Sequence, residues 1–113
     1  MKKTIIRRFS CKIGDRIEIV PEENIFYFYA QEKYVFLVTK SDEFIINFTL
    51  KELLKKLDLQ KFCQVNRSHI IQLNYVSSVR LWFGGRLKIN MKDGKEIIVS
   101  RKYVKEFKEK VNL

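Results

Sequence analysis

The sequence predicts a mostly β domain with one short internal helix and one short C-terminal helix. Apolar and polar residues alternate along most of the chain, which is the pattern of strands that bury one face. The 113 residues include nine Phe, five Tyr and one Trp, and aromatic rings favour strands. Only two segments carry apolar residues at helical spacing. With 46% hydrophobic and 32% charged residues, the chain has the composition of a folded, soluble protein of one-domain size.

The first predicted element is a hairpin. Phe9 to Ile13 alternates apolar and polar residues, and Gly14-Asp15 supplies a tight turn. In the returning strand we expect Ile17 and Ile19 to point inward. Pro21 ends that strand because proline has no N–H for the ladder.

Two aromatic strands follow, at residues 24–30 (NIFYFYA) and 33–39 (KYVFLVT), separated by Gln31-Glu32. Apolar residues on both faces indicate a strand that is covered on both sides, or one that leaves a face open for a partner. Stacking of nucleic-acid bases on Tyr27 and Tyr29 is therefore an alternative. Core packing is the more frequent use of such rings.

A further strand at residues 43–48 leads into the internal helix. Thr49-Leu50-Lys51-Glu52 matches the capping box, in which hydroxyl and carboxylate satisfy two free backbone N–H groups. Leucines at positions 50, 53, 54 and 57 then recur at helical spacing, so one side is core and the lysines face water. The helix is predicted to end near Asp58.

The segment Phe62–Val76 (FCQVNRSHIIQLNYV) sets a polar group, Asn66-Arg67-Ser68-His69, between two apolar runs. A loop that is held at both ends by core residues presents its side chains in a fixed geometry. We therefore predict that this loop faces phosphate.

The last third predicts two hairpins and a helix. Gly84-Gly85 joins strands at 76–83 and 86–91, and Asp93-Gly94 leads into a strand at 96–99.

Ser100 is then expected to cap the final helix. Val104, Phe107 and Val111 lie on one side of that helix. No repeat or linker interrupts the chain, so we predict a basic N-terminal tail at residues 1–8 and a single domain at 9–113.

Charge is the strongest functional signal. The net charge is +10, and residues 60–113 hold twelve Lys and Arg against four Asp and Glu, whereas residues 1–59 hold eleven against nine. No acidic residue occurs from Leu59 to Lys92. A merely soluble surface is one interpretation, but such asymmetry favours a polyanionic partner, a nucleic acid or an anionic membrane surface.

Other classes fit poorly. Cys11 and Cys63 lack metal-ligand spacing and are expected to be buried thiols in a reducing cytoplasm. No secretory leader or membrane-length apolar run is present, so a cytoplasmic protein without membrane contact is expected. His69 is the only imidazole, it has no catalytic motif around it, and we expect neither an enzyme nor a cofactor or metal.

Three groups suit recognition of a DNA duplex. Arg67 with Ser68 offers a planar fork and a hydroxyl, Arg101 and Lys102 begin a helix whose amides favour anions, and Lys33 follows a turn. Taken singly, Arg101 is equally well explained as an exposed charge at the start of a helix, and Arg67 as a structural arginine that donates to loop carbonyls. The predicted DNA-binding residues are Lys33, Tyr34, Asn66, Arg67, Ser68, His69, Ser100, Arg101 and Lys102. Sequence-independent phosphate contacts are predicted from Lys61, Arg80, Arg86, Lys88 and Lys92.

Three blocks also resemble a known family: Ile25 to Tyr29 followed by Tyr34-Val35, Phe62-x-x-Val65-x-Arg67-Ser68-His69-Ile70-Ile71, and Ile97-Ile98-Val99-Ser100-Arg101-x-Tyr103. They are similar to the LytTR-type DNA-binding domains of the LytR/AlgR/AgrA family of bacterial transcription regulators. The resemblance covers nearly the whole chain. The chain departs from the family where Tyr29-Ala30 replaces an acidic residue and where the turn to Tyr34 is compact. Of the three predicted contact points, Lys33 and Tyr34 therefore match the family least.

The resemblance implies an elongated fold of short antiparallel β-sheets whose loops enter DNA grooves, with the corner at Arg101 reaching bases in a major groove. It implies a transcription regulator of two-component systems. Most members of the family carry an N-terminal receiver domain, so this chain is expected to be either a stand-alone regulator or the effector domain of a longer response regulator. It also implies paired direct repeats as the target, with a monomer in solution and two copies per DNA site. The alternative function is an RNA or single-stranded nucleic-acid binding module that uses its aromatic strands as stacking surfaces. A third possibility is a protein–protein or anionic-membrane module, which would bind no nucleic acid at low salt.

Overall fold

The computed structural model describes residues 4–113 and confirms the mostly β fold class. The strands are β1 (Arg8–Ile13), β2 (Arg16–Pro21), β3 (Tyr27–Gln31), β4 (Tyr34–Val38), β5 (Glu43–Ile46), β6 (Phe62–Asn66), β7 (His69–Gln72), β8 (Val76–Trp82), β9 (Arg86–Met91) and β10 (Glu96–Val99). The helices are α1 (Leu50–Lys56) and α2 (Arg101–Val111). Within the described residues the strands form three antiparallel sheets, ordered β1-β2, β5-β4-β3-β7-β6 and β10-β9-β8. The molecule measures 45 × 36 × 25 Å along its principal axes.

The five-stranded sheet lies between two hydrophobic cores. Phe28 of β3 packs in one core with the β1–β2 hairpin and α1, while its neighbour Tyr27 packs in the other with β8–β10 and α2. Adjacent residues of a strand point to opposite faces, so β3 serves both cores. This arrangement explains why the aromatic strands are apolar on both faces. Tyr27 is only 5% exposed and is therefore no stacking surface for bases, contrary to the alternative hypothesis.

Both helices begin where the sequence predicts. The Thr49 hydroxyl accepts a hydrogen bond from the Glu52 backbone N–H, and the Glu52 carboxylate accepts one from the Thr49 N–H, which completes the capping box. Leu53 and Leu57 are fully buried, and α2 buries Phe107 in the second core. No helix of the described residues is long and apolar enough to cross a membrane.

The prediction that Ile17 and Ile19 point inward was wrong. These side chains are 61% and 55% exposed, and Val20 is the buried residue of β2. The two-residue turn at Gly14-Asp15 pairs Phe9 with Val20, so the buried face of the hairpin passes through the even-numbered residues of β2.

Two turns also differ in position from the prediction. The β3–β4 turn consists of Glu32 and Lys33, one residue later than expected, with Glu32 in the left-handed region at φ 57°. The β8–β9 connection is a three-residue turn, Phe83–Gly85, in place of the expected two-residue Gly84-Gly85 hairpin.

The predicted N-terminal tail falls partly outside the described residues, which begin at Thr4. Its described part contacts the domain. The Arg7 guanidinium lies 2.7 Å from a carboxylate oxygen of Glu22, and the Lys61 ammonium lies 2.6 Å from the same oxygen. Glu22 is 3% exposed, and its second carboxylate oxygen has no hydrogen-bond partner among the described residues. This buried carboxylate fixes the start of β1 to the segment before β6.

Candidate nucleic-acid interface

The polar group between β6 and β7 is a tight hairpin that is organised by Asn66. The Asn66 side-chain oxygen accepts hydrogen bonds from the Ser68 backbone N–H (2.8 Å) and from the His69 ring (Nδ1, 3.0 Å). Its side-chain nitrogen donates to the Ile98 carbonyl at 2.8 Å. One side chain therefore fixes the turn internally and attaches it to β10. The sequence predicted Asn66 as a DNA contact and gave no sign of this positioning role, because Ile98 lies 32 residues away.

At neutral pH His69 is uncharged in the folded protein, and its tautomer follows from the orientation of the Asn66 amide. A backbone N–H can only donate and a carbonyl can only accept, so the contacts to Ser68 and Ile98 fix the orientation of the Asn66 amide. The imidazole must therefore donate from Nδ1, which leaves Nε2 as the acceptor. Burial, reinforced by the positive charge of Lys95, lowers the pKa of His69 to about 4. The ring also lies 6.0 Å from the Tyr29 ring, nearly parallel to it.

The second predicted contact point adjoins this hairpin. The Ala30 backbone N–H donates to the Ser68 carbonyl at 2.8 Å, which joins the end of β3 to the turn that carries Arg67. Lys33 is exposed in the β3–β4 turn, and its ammonium lies 5.7 Å from the ring centroid of Tyr34, which is 43% exposed.

The third point is the corner between β10 and α2. The Ser100 backbone N–H donates to the Val65 carbonyl at 3.0 Å, and its hydroxyl lies 3.5 Å from the same oxygen. Ser100 stands at the N-cap position but makes no side-chain cap bond to α2, so its predicted capping role was wrong. Arg101 and Lys102 are both exposed on the first turn of the helix.

These hydrogen bonds join the three predicted points. β3 contacts the 66–69 turn through Ala30, and the β10–α2 corner contacts it through Asn66 and Ser100. Arg67, Lys33 and Arg101 all stand exposed on these segments. The arrangement presents separate cations from one hydrogen-bonded framework, which suits an extended polyanion better than a small ligand.

The β8–β9 hairpin reaches the same corner. A Cβ atom built on Gly85 would lie 3.6 Å from Cδ of Arg101, so the stem of that arginine runs beside the turn. Arg86 donates from Nε to the Phe83 carbonyl at 2.9 Å. Leu81 and Phe83 are 81% and 72% exposed, an exposure that sequence analysis missed.

The predicted phosphate contacts differ in their surroundings. The Lys61 ammonium is paired with the buried carboxylate of Glu22 at 2.6 Å, whereas Arg80 is exposed. The Lys88 ammonium is 4.2 Å from the Trp82 ring centroid and 3.1 Å from a carboxylate oxygen of Glu96. Lys92 is exposed, with its ammonium 5.9 Å from the Tyr75 ring centroid. Lys88 is therefore already engaged within the protein, whereas Lys92 is open to solvent.

Cys11 and Cys63 are free and buried, as predicted, and burial raises the pKa of the Cys63 thiol to about 11. No group of three His, Cys, Asp or Glu side chains within residues 4–113 is placed to hold a metal ion. Tyr29 is half-buried, stacks on Phe36 at 4.8 Å and donates its hydroxyl to Glu43.

Comparison with known proteins identifies the family and the fold. The model of the LytTr DNA-binding domain family matches residues 15–112. The chain is 30% identical over 106 residues to the sensory transduction protein LytT of Bacillus subtilis, covering 94% of this chain and 44% of that protein. It is 31% identical over 100 residues to the transcriptional regulatory protein YpdB of Escherichia coli K12, covering 88% and 41%.

A solved LytTr DNA-binding domain from Bacillus cereus has the same fold, with a TM-score of 0.89 at 19% identity. The superposition covers 96% of this chain and 99% of that one. The chain spans less than half of the length of the curated relatives that it matches.

Proposed function

The chain belongs to the LytTR DNA-binding domain family, and from that premise we propose that it binds double-stranded DNA sequence-specifically to regulate transcription. The observation that carries the proposal is the hydrogen-bonded group of turns described above. The contacts from Ala30 to Ser68, from Asn66 to Ile98 and from Ser100 to Val65 hold three cationic turns in one framework. A DNA duplex presents several phosphates and base edges at once. A rigid framework contacts them without the entropy cost of ordering each loop on binding.

In this proposal the side chains have different tasks. Arg101 enters a major groove and reads a base, because a guanidinium matches the two acceptors on the edge of guanine. Arg67 and Lys33 meet phosphates and set the register of the protein on the duplex. Asn66 and His69 support the turn that carries Arg67 and Ser68, which is consistent with their bonds to each other.

The sequence-independent contribution comes from exposed cations. Lys92 and Lys102 fit this role because both are exposed. We expect less from Lys88, whose ammonium is occupied by Glu96 and Trp82. Each phosphate contact adds about one to the slope of log affinity against log salt, so replacing Lys88 by Ala should change the slope by clearly less than one. A change of a full unit in the slope would instead show that Lys88 contacts a DNA phosphate.

The relatives are more than twice as long as the matched region, which supports an effector domain working with other segments. The proposed additional segment is an N-terminal receiver domain. The proposed target is a pair of direct repeats that take two copies of a protein that is monomeric in solution. Sedimentation with and without a duplex of two sites tests this stoichiometry.

Selection from a random duplex pool, followed by binding measurements at two salt concentrations, tests the main proposal. The parent should prefer the selected duplex to a scrambled one. Arg101→Ala should lose about 1–3 kcal/mol of that preference at one base pair. Lys51→Ala, an exposed lysine of α1, is the matched control and should keep the preference.

An Arg101→Ala variant with the parent's preference would remove the base-reading role. Competition with single-stranded DNA and RNA of the same sequence separates the alternative function. A parent that prefers single strands would contradict duplex recognition.

A further inference from the structure

The β8–β9 hairpin displays two large apolar side chains in solvent. Leu81 is 81% exposed and Phe83 is 72% exposed, more than any other large hydrophobic side chain of the described residues. Leu81 is paired with Leu87, which is 2% exposed, so Leu81 shares the face of a core residue but extends beyond the core. Exposing two such side chains forgoes burial of roughly 1.5–3 kcal/mol each. Exposed isoleucines also occur on the β1–β2 hairpin, and what distinguishes Leu81 and Phe83 is that their hairpin lies against Arg101.

Trp82, between these two residues, is covered differently. It lies on the face of β8 opposite Leu81, with the Lys88 ammonium 4.2 Å from its ring centroid and the Phe83 ring 4.9 Å away in an edge-to-face contact. Trp82 is half-buried, so the most exposed apolar side chains of the hairpin are Leu81 and Phe83. This exposed apolar surface is small and lies at the end of the hairpin.

The hairpin end is held beside Arg101. Gly84 and Gly85 adopt left-handed backbone conformations, with φ of 65° and 74°. Because Gly85 has no side chain, the Arg101 stem passes next to the turn, 3.6 Å from where a Cβ would be. The Arg86 side chain donates to the Phe83 carbonyl and fixes the turn. Phe83 thus stands two residues from the contact with the proposed base-reading arginine.

The charged residues near the hairpin indicate which class of partner it contacts. No Asp or Glu occurs between Leu59 and Lys92, and Arg80 and Arg86 flank the exposed pair. Glu96 of β10, the acidic side chain next to Lys88, is paired with that lysine. The remaining cations favour a polyanionic partner that also offers apolar groups next to the site of Arg101. In the major groove of DNA the apolar group is the 5-methyl of thymine.

We propose that Leu81 and Phe83 contact thymine methyl groups in the groove that Arg101 enters, which makes them specificity-determining residues. The proposal rests on the function proposed above and adds an apolar contact to it. Arg101 distinguishes base pairs by hydrogen bonds, while the hairpin distinguishes thymine from cytosine and uracil by contact with the methyl group.

Replacement of thymine by uracil in the selected duplex tests this directly, because it removes only the methyl group. Each thymine is replaced in turn, and the affinity of the parent is measured. The parent should lose about fourfold at one or two positions, the value of one buried methyl group.

Leu81→Ser and Phe83→Ser should each bind the thymine duplex more weakly and should no longer distinguish thymine from uracil at the position that the replaced side chain contacts. The double variant should not distinguish the two bases at any position. Ile17→Ser is the matched control, since Ile17 is 61% exposed on the β1–β2 hairpin. It should distinguish the two duplexes as the parent does.

The outcomes separate the two proposals. Intact preference for the selected over the scrambled duplex, together with indifference to uracil at every position, overturns only the methyl contacts. A parent with no preference for the selected duplex overturns the proposed function and this inference together.

Co-sedimentation with phosphatidylglycerol vesicles provides a further arm. If the parent binds vesicles, Leu81→Ser and Phe83→Ser abolish that binding, and uracil has no effect on DNA affinity, then the hairpin is a membrane contact and the proposal is overturned.

Discussion

Replacing Asn66 by Ala tests whether one side chain holds the proposed recognition turn. The change removes two acceptor contacts, from Ser68 N–H and His69 Nδ1, and one donor contact to the Ile98 carbonyl. A neutral hydrogen bond contributes about 1 kcal/mol net, so the three together are worth up to about 3 kcal/mol. The site is only partly buried and water replaces some of these bonds, so we expect a loss of about 2 kcal/mol in the free energy of unfolding.

DNA affinity should fall as well. Once the turn is released, the backbone of Arg67 must be ordered on binding, and ordering one residue costs roughly 1–2 kcal/mol. A tenfold weaker complex at 25 °C is the expected result, since 1.4 kcal/mol is a factor of ten. Urea unfolding followed by the fluorescence of the single tryptophan gives the stability, and titration with the selected duplex gives the affinity.

Asn90→Ala is the matched control for this experiment. Asn90 donates one exposed side-chain bond, to the Ser78 hydroxyl at 3.2 Å, so its replacement should change stability by less than about 0.5 kcal/mol. If Asn66→Ala unfolds at the parent's urea concentration and binds DNA equally well, the side chain does not organise the turn. Equal losses in both variants would refute the assigned hydrogen-bond network.

Two further predictions concern buried polar groups. The pKa of His69 is lowered to about 4 in the folded protein, against roughly 6.5 when unfolded, so the unfolded chain binds the proton first and stability falls as pH drops through that interval. Because the ring is half-buried, we expect a loss of roughly 1–2 kcal/mol between pH 7.5 and 4.5 by urea unfolding, reduced in His69→Phe; equal pH dependence in both proteins would contradict it. Glu22→Gln removes the carboxylate that binds Arg7 and Lys61, and should cost about 1–3 kcal/mol by the same assay. Glu23→Gln, which alters an exposed neighbour, should cost almost nothing, and equal effects would argue against the buried ion pair.

Local signals were sufficient for most of the fold. The capping box at Thr49 and the turn at Gly14-Asp15 each involve residues within three positions, and both formed as predicted. The orientation of Ile17 and Ile19 was wrong although the information was present. A two-residue turn after Ile13 fixes the pairing, and that pairing places the isoleucines opposite Lys12 and Ser10 on the outer face.

The interface itself depends on contacts that are distant in sequence. The charged turns were recognisable from composition and from the resemblance, but their attachment was not, because Ser100 reaches Val65 across 35 residues. The exposure of Leu81 and Phe83, at the end of β8 and in the turn after it, could have been predicted from the sequence. Leu81, Trp82 and Phe83 are three consecutive large apolar residues at the end of a strand, and strand alternation cannot place all three on one buried face.

Backbone hydrogen exchange with and without the selected duplex tests the central claim most directly. If the joined turns meet one duplex together, DNA should slow exchange at residues 32–34, 67–69, 83–86 and 101–103 in the same complex. The Gly14-Asp15 turn, which belongs to the β1–β2 hairpin, should exchange at its free rate. Protection at only one of the four segments, or protection centred on the β1–β2 hairpin, would contradict the account.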